Sequence, residues 1–380
     1  MSPARLNKFT GTALNSRLIP GVHLAHLRLR DFRNFARLDK DFAPGFHLLL
    51  GQNAQGKTNI LEAIYLLATL RSFRGVGSAQ MVRHGQKGYF VGANAIGQGQ
   101  HAVKVYWSPQ ERSLTLDARP IQRLSEYLGA LRAVVFCSED VQLVKGPGSR
   151  RRRFLDLLLT QTHSAYLSLL QRYARSVRSR NALLRQHALD PLALEGFTRE
   201  MIDVGNQIIR YRRELIPTFA PLAVAAYRRI ANDREELSIE YQPTVKGDFA
   251  VELAQAWPRE RTLRSTIVGP HRDELQFLIN GRSALQFGSE GQKRSLAIAL
   301  KMAQAEYLAR IHGTLPILLI DDVMGELDAS RRKAFLPLLQ EAQNARSQVF
   351  MTATQESWPR ELGRELIRWE IRAGEVRPLQ

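Results

Sequence analysis

The segment Gly51-Gln52-Asn53-Ala54-Gln55-Gly56-Lys57-Thr58 has the spacing of a phosphate-binding loop, G-x-x-x-x-G-K-[ST]. Glycines let such a loop curl until successive backbone N–H groups face a phosphate, and a following helix adds the positive end of its dipole. Lys57 would bridge β- and γ-phosphate oxygens, and the Thr58 hydroxyl would ligate Mg²⁺. Far downstream, Ile317-Leu318-Leu319-Ile320-Asp321-Asp322 is an apolar run ending in two carboxylates. That order suits Asp321 to the Mg²⁺ shell and Asp322 to orienting an attacking water. Between the two, Ser289-Glu290-Gly291-Gln292 opens a helical pattern with Leu296, Ala299, Leu300 and Ala303 on one face. Ser289 is then either a plain helix N-cap or a hydroxyl that, with the helix N-terminus, meets a γ-phosphate. Together these residue types would carry out Mg²⁺-assisted ATP hydrolysis.

Such a loop must leave a strand and enter a helix, and its flanks comply. Phe46 to Leu50 is a short apolar run, and Ile60, Ile64 and Leu67 share one helical face. Upstream, Leu27 and Leu29 alternate with Arg28 and Arg30 as in a half-buried strand, and residues 89–107 and 113–117 read as further short strands. After Lys145-Gly146-Pro147-Gly148 the apolar positions recur at three to four, as at Leu155, Leu158, Leu159, Ile208, Ile209 and Leu215. Pro191, Gly196, Pro217 and Pro221 are expected to divide this stretch into several helices. From about residue 238, strand and helix patterns alternate again. The loop and the paired carboxylates lie on opposite sides of the helical stretch, yet they must share one Mg²⁺. The expected fold is therefore α/β: an ATPase head assembled from both chain ends, 21–150 and 236–380, with a helical arm inserted at 151–235. Residues 1–20 read as a flexible leader.

Composition narrows the partners. The chain of 380 residues carries 54 Lys and Arg against 36 Asp and Glu, a formal charge of +18 that favours a polyanion such as nucleic acid. Its apolar runs fall well short of the roughly 18 residues needed to cross a bilayer. One cysteine, Cys137, excludes an intrachain disulfide and fits a reducing compartment. With no signal-peptide pattern, a cytoplasmic location is expected. Arg150, Arg151, Arg152 and Arg153, followed by Arg172, Arg175, Arg178 and Arg180, form a basic stripe. It reads as DNA phosphate contacts or as a solvated face. His271 has no neighbour at metal-ligand spacing, so zinc is not implied.

Phe287-Gly288-Ser289-Glu290-Gly291-Gln292-Lys293-Arg294 resembles the ABC signature, and Gly325-Glu326-Leu327-Asp328 falls where a D-loop belongs. With them come Leu29-Arg30-Asp31-Phe32-Arg33-Asn34, Arg71-Ser72-Phe73-Arg74, Ser138-Glu139-Asp140-Val141, Arg151-Arg152-Arg153-Phe154-Leu155-Asp156 and Gly269-Pro270-His271-Arg272-Asp273. From about Leu24 to its end the chain resembles the RecF family, the recombination mediators of the SMC-like branch of ABC ATPases. That resemblance implies ATP and Mg²⁺ as ligands, with Ser289, Gly291 and Gln292 completing the nucleotide site of a second copy in an ATP-dependent homodimer. It also implies slow hydrolysis, binding to DNA at single-stranded gaps and duplex junctions, and work with RecR and RecO that lets RecA load. Two positions depart from related proteins. Gly325 stands where D-loops usually have serine, and Thr352-Ala353-Thr354 stands where transporter ATPases carry a switch histidine. The alternative, an ABC transporter ATPase subunit, calls for a shorter helical insert and that histidine.

Overall fold

The computed structural model describes residues 22–97, 99–188, 190–231, 234–345, 347–354 and 366–379; the expected leader lies outside them. Strands β1 (His23–Phe32), β2 (Phe35–Asp41) and β3 (Phe46–Leu50) precede the phosphate-loop helix, Lys57–Thr69. Then come β4 (Tyr89–Ile96), β5 (Gln100–Trp107), β6 (Arg112–Leu116), β7 (Arg119–Pro120) and β8 (Ala133–Cys137). The C-terminal part adds β9 (Leu237–Gln242), β10 (Glu274–Ile279), β11 (Arg282–Ser283), β12 (Ile317–Asp321), β13 (Val349–Ala353), β14 (Leu366–Arg372) and β15 (Glu375–Leu379).

The central sheet, β15-β14-β3-β13-β12-β8, draws on both ends of the chain and is parallel from β14 to β8. This is an α/β fold, with helices inserted between the two parts of the chain that build the sheet. Both faces of a parallel sheet are covered, which is why β12 reads as an unbroken apolar run. Strand alternation then divides two cores. Leu49, Ile317, Leu319 and Val135 face the phosphate-loop helix and the antiparallel sheet β2-β1-β4-β5-β6-β7. Leu48, Leu318, Ile320 and Phe136 face the insert and the signature helix, Glu290–His312. The carboxyl ends of β3 and β12 meet at one edge of the sheet, the usual place for a ligand in an α/β fold.

The insert is several helices, Gly148–Thr162, Tyr166–Leu184 and Pro191–Ala231, and Pro191 opens the last of them. The breaks expected at Gly196, Pro217 and Pro221 do not occur, since that last helix runs through all three for 41 residues. An interior proline costs about 3 kcal/mol. Around these two, Leu215, Phe219, Leu222, Ala223 and Ala226 are all buried, and each large apolar side chain contributes about 1.5–3 kcal/mol. Packing against the signature helix outweighs the local preference to break.

Candidate nucleotide site

Backbone conformation shapes the loop first. Gly51 and Gly56 take φ of +153° and +118°, and an added Cβ would come within 2.4 Å of the Ile371 carbonyl oxygen or 2.8 Å of Asn34 Nδ2 respectively. Neither position accommodates a side chain. Lys57 opens the helix, and its buried ammonium donates to the Gly51 and Gln52 carbonyls at 2.6 and 3.0 Å, inside the curl of the loop. Thr58 is next, and its hydroxyl donates to Asp321 Oδ1 at 2.8 Å, joining residues 263 apart in sequence. The Thr352 hydroxyl lies 3.0 Å from Asp321 Oδ1 and 3.2 Å from Asp322 Oδ1, so it can donate to either, and it accepts the Asp322 N–H at 2.9 Å. Asp322 itself sits at φ 54°, just past the end of β12.

Burial pushes the Asp321 carboxyl above its ordinary range, hydrogen bonds from Thr58 and Thr352 oppose that shift, and the charges of Asp322 and Glu139 add to it. A carboxylate held so favours a proton or a cation. Its neighbours are hard oxygen donors, which suits Mg²⁺. Among the described residues no group of three or more His, Cys, Asp or Glu could hold a metal alone. Mg²⁺ is normally held by one or two protein oxygens, substrate phosphates and water, and Thr58 and Asp321 would supply the protein share.

The sequence reading missed how the loop is braced. Gln55 O accepts from Asn34 Nδ2 at 2.8 Å and from the Gly374 N–H at 3.1 Å, and Gln55 Oε1 accepts from the Ala373 N–H at 2.7 Å. The β1–β2 turn and the β14–β15 turn thus grip the same residue. Asn34 carried a signal, a polar residue closing the Leu29–Asn34 motif; Ala373 and Gly374 carried none. Arg33 and Ser72 have a structural role here. Arg33 forks onto the fully buried Glu62 through Nε and Nη2, each at 2.7 Å, and the Ser72 hydroxyl donates to the same carboxylate at 2.5 Å.

Ser289 caps the signature helix: its hydroxyl accepts the Gln292 N–H at 3.1 Å while its own N–H donates to Gln292 Oε1 at 2.7 Å. Gln292 Nε2 reaches Glu235 at 2.8 Å, and the Gly291 carbonyl accepts from Arg331 Nη2 at 2.9 Å. So the structure joins Thr58, Asp321 and Asp322, while these hydrogen bonds of Ser289, Gly291 and Gln292 go to their own helix, Glu235 and Arg331. Ser289 remains exposed at the surface.

The basic stripe divides. Successive helical residues point about 100° apart, so four consecutive arginines cannot share one face. Arg150 and Arg153 are exposed. Arg151, only 4% exposed, forks onto Glu274 at 2.6 and 2.9 Å and donates to the Gly146 carbonyl at 2.8 Å. It leaves the set of candidate DNA contacts. Arg152 is half-buried and donates to the Asp273 carbonyl at 2.8 Å. Arg180 is likewise buried, on Glu260 at 2.6 Å. His271 hydrogen-bonds Tyr173 at 2.7 Å, and burial lowers its pKa to about 4, so it stays neutral and structural.

The sequence model described as RecF/RecN/SMC N terminal domain matches residues 23–372. A curated relative, the DNA replication and repair protein RecF of Symbiobacterium thermophilum, is 36% identical and covers 93% of this chain and 98% of its own. The chain belongs to the RecF family. The RecF of Lactococcus lactis subsp. lactis is 35% identical, over 93% of this chain and 99% of its own. Among solved structures, the recombination mediator protein RecF-ATP in the RecFOR pathway superposes with a TM-score of 0.87 at 29% identity, covering 95% of this chain and 98% of that one. An Smc head domain from Pyrococcus furiosus, at 14% identity and a TM-score of 0.55, shares the fold. A RecF-family chain with this head is a member of a DNA replication and repair family of ABC-type ATPases.

Proposed function

We propose that this protein binds ATP and Mg²⁺ at the Gly51–Thr58 loop and Asp321, dimerises through Ser289, Gly291 and Gln292 when ATP is bound, and hydrolyses it slowly with Asp322 orienting water. In that state it engages DNA at single-stranded gaps with RecR and RecO, so that RecA can load. The head portions 21–150 and 236–380 carry the chemistry and the arm 151–235 closes against them. The 2.8 Å contact of Thr58 with Asp321 carries the reading, because it brings together from both ends of the chain the two groups that would share one Mg²⁺. The solved RecF-ATP relative and its named pathway support it. Slow turnover accords with Thr352 beside the carboxylates, a hydroxyl with no basic nitrogen to offer. A transporter subunit is disfavoured by the replication and repair relatives. Among the described residues no helix is long and apolar enough to cross a membrane.

Filter binding to gapped DNA with and without ATP tests the whole reading, which requires retention to rise with ATP. For the chemistry, Asp322→Asn should keep ATP affinity while turnover falls by about a hundredfold or more, the usual cost of losing one transition-state group. Nucleotide affinity falling in step with turnover would instead make Asp322 a ligand-binding group.

Ser289→Arg should bind ATP as a monomer and fail to dimerise, since the cation would collide with the partner's γ-phosphate pocket. Mixed with Lys57→Met it should regain dimer and activity, because one composite site then carries both defects and the other neither. Light scattering with ATP reads the result. Normal dimerisation of Ser289→Arg leaves the residue as an N-cap alone.

A further inference from the structure

The outer face of the antiparallel sheet is built unlike a merely solvated one. Its inner face is apolar, with Leu29, Val91 and Val105 buried. Outward, the strand register aligns Arg37 on β2, Arg30 on β1, Phe90 on β4 and Tyr106 on β5 in one row. The adjacent row sets Asp39, Arg28, Gly92 and Lys104 side by side.

Three features of these rows call for an anionic, planar partner. Arg30 and Arg37 lie directly opposite each other, an arrangement that destabilises an antiparallel pair unless something neutralises it. Neither of them, nor Lys104, has a hydrogen bond or ion pair among the described residues. The acidic end of the face is already engaged: Asp39 contacts Arg28 and His26, and Asp41 contacts His26. The aromatic pair is the third feature. Tyr106 is 37% exposed and Phe90 half-buried beside it. Phe90 lies over the bare backbone of Gly92, where an added Cβ would come within 2.8 Å of its ring. Rings lying along a sheet and flanked by unpaired cations are how single-stranded nucleic acid is held, with bases stacked on the π-faces and phosphates on the cations. A duplex keeps its bases stacked on one another and would use only the cations. From Arg37 to Tyr106 the row crosses three strand gaps, about 14 Å.

We propose that this face, through Tyr106, Phe90, Arg30, Arg37 and Lys104, binds single-stranded DNA. The inference rests on the DNA-handling function proposed above and adds the surface and the strandedness.

Fluorescence anisotropy with fluorescein-labelled oligo(dT), a blunt duplex of equal length and a gapped duplex, all with ATP, tests it on the full chain. Tyr106→Ala should weaken oligo(dT) binding about tenfold and change duplex binding by less than about twofold, and Tyr106→Trp should restore the loss. Arg30→Gln with Arg37→Gln should lower the salt slope for oligo(dT) by about 1.4, near 0.7 for each phosphate no longer neutralised. A fluorescent ATP analogue should bind all variants as it binds the parent, which reports that they are folded. The proposal is overturned if Tyr106→Ala binds oligo(dT) normally, or loses oligo(dT) and duplex alike. If the parent protein binds gapped DNA but not oligo(dT), the surface assignment fails while the DNA function stands. Binding to none of the three overturns both.

Discussion

Lys57→Met is expected to lower ATP affinity by between about a hundred- and a ten-thousand-fold, the equivalent of two charge-assisted hydrogen bonds at about 1.5–3 kcal/mol each. The Lys57 ammonium lies inside the phosphate loop, held among the described residues by the Gly51 and Gln52 carbonyls. An arriving phosphate offers it a charged acceptor in place of neutral ones, so its contribution to binding is large. Methionine preserves the bulk and removes the charge. Because Lys57 stands at the first position of its helix, no interior helical turn depends on it, and the fold should survive. Titration calorimetry should show a larger loss for ATP than for ADP, since the role proposed for the lysine is to bridge to the γ-phosphate, and ATP-dependent DNA retention should disappear with it. Wild-type affinity in Lys57→Met would remove the loop from nucleotide binding.

Arg212→Met should cost about 3–5 kcal/mol of stability, the range for stranding a buried charge. Arg212 is 2% exposed and ties the arm to the segment before β10. Its guanidinium donates to Asp156 at 2.8 Å, to the Pro270 carbonyl at 2.6 Å and to the fully buried Asp273 at 3.1 Å. Without it, Asp273 keeps the Thr244 N–H at 2.8 Å and the Tyr241 hydroxyl but loses the guanidinium that is ion-paired with it. Urea unfolding measures this. A loss below about 1 kcal/mol would mean that the network is solvated in solution.

The sequence by itself determined those parts of the protein whose chemistry is contiguous. Eight successive residues make the phosphate loop, because the backbone curl, the ammonium and the hydroxyl are all local. Asp321 and Asp322 were legible for the same reason, as the end of a run too apolar to lie anywhere but inside a sheet. The assembly of the head from both chain ends followed once these two segments had to share one ion. The resemblance to the RecF family was carried by such short motifs.

Only tertiary structure decided which side of each motif faces what. Arg151 and Arg180 looked like their exposed neighbours in sequence, and helix phase together with Glu274 and Glu260 turned them into buried struts. Pro217 and Pro221 signalled breaks that packing overrode. The grip of Ala373 and Gly374 on Gln55, and the alignment of Arg37, Arg30, Phe90 and Tyr106, depend on strands meeting in one register. Local sequence encodes the conformation of a segment and the groups it carries. Burial of one partner's charge, or of one face of a strand, is settled by the segments that fold against it, and these lie up to hundreds of residues away.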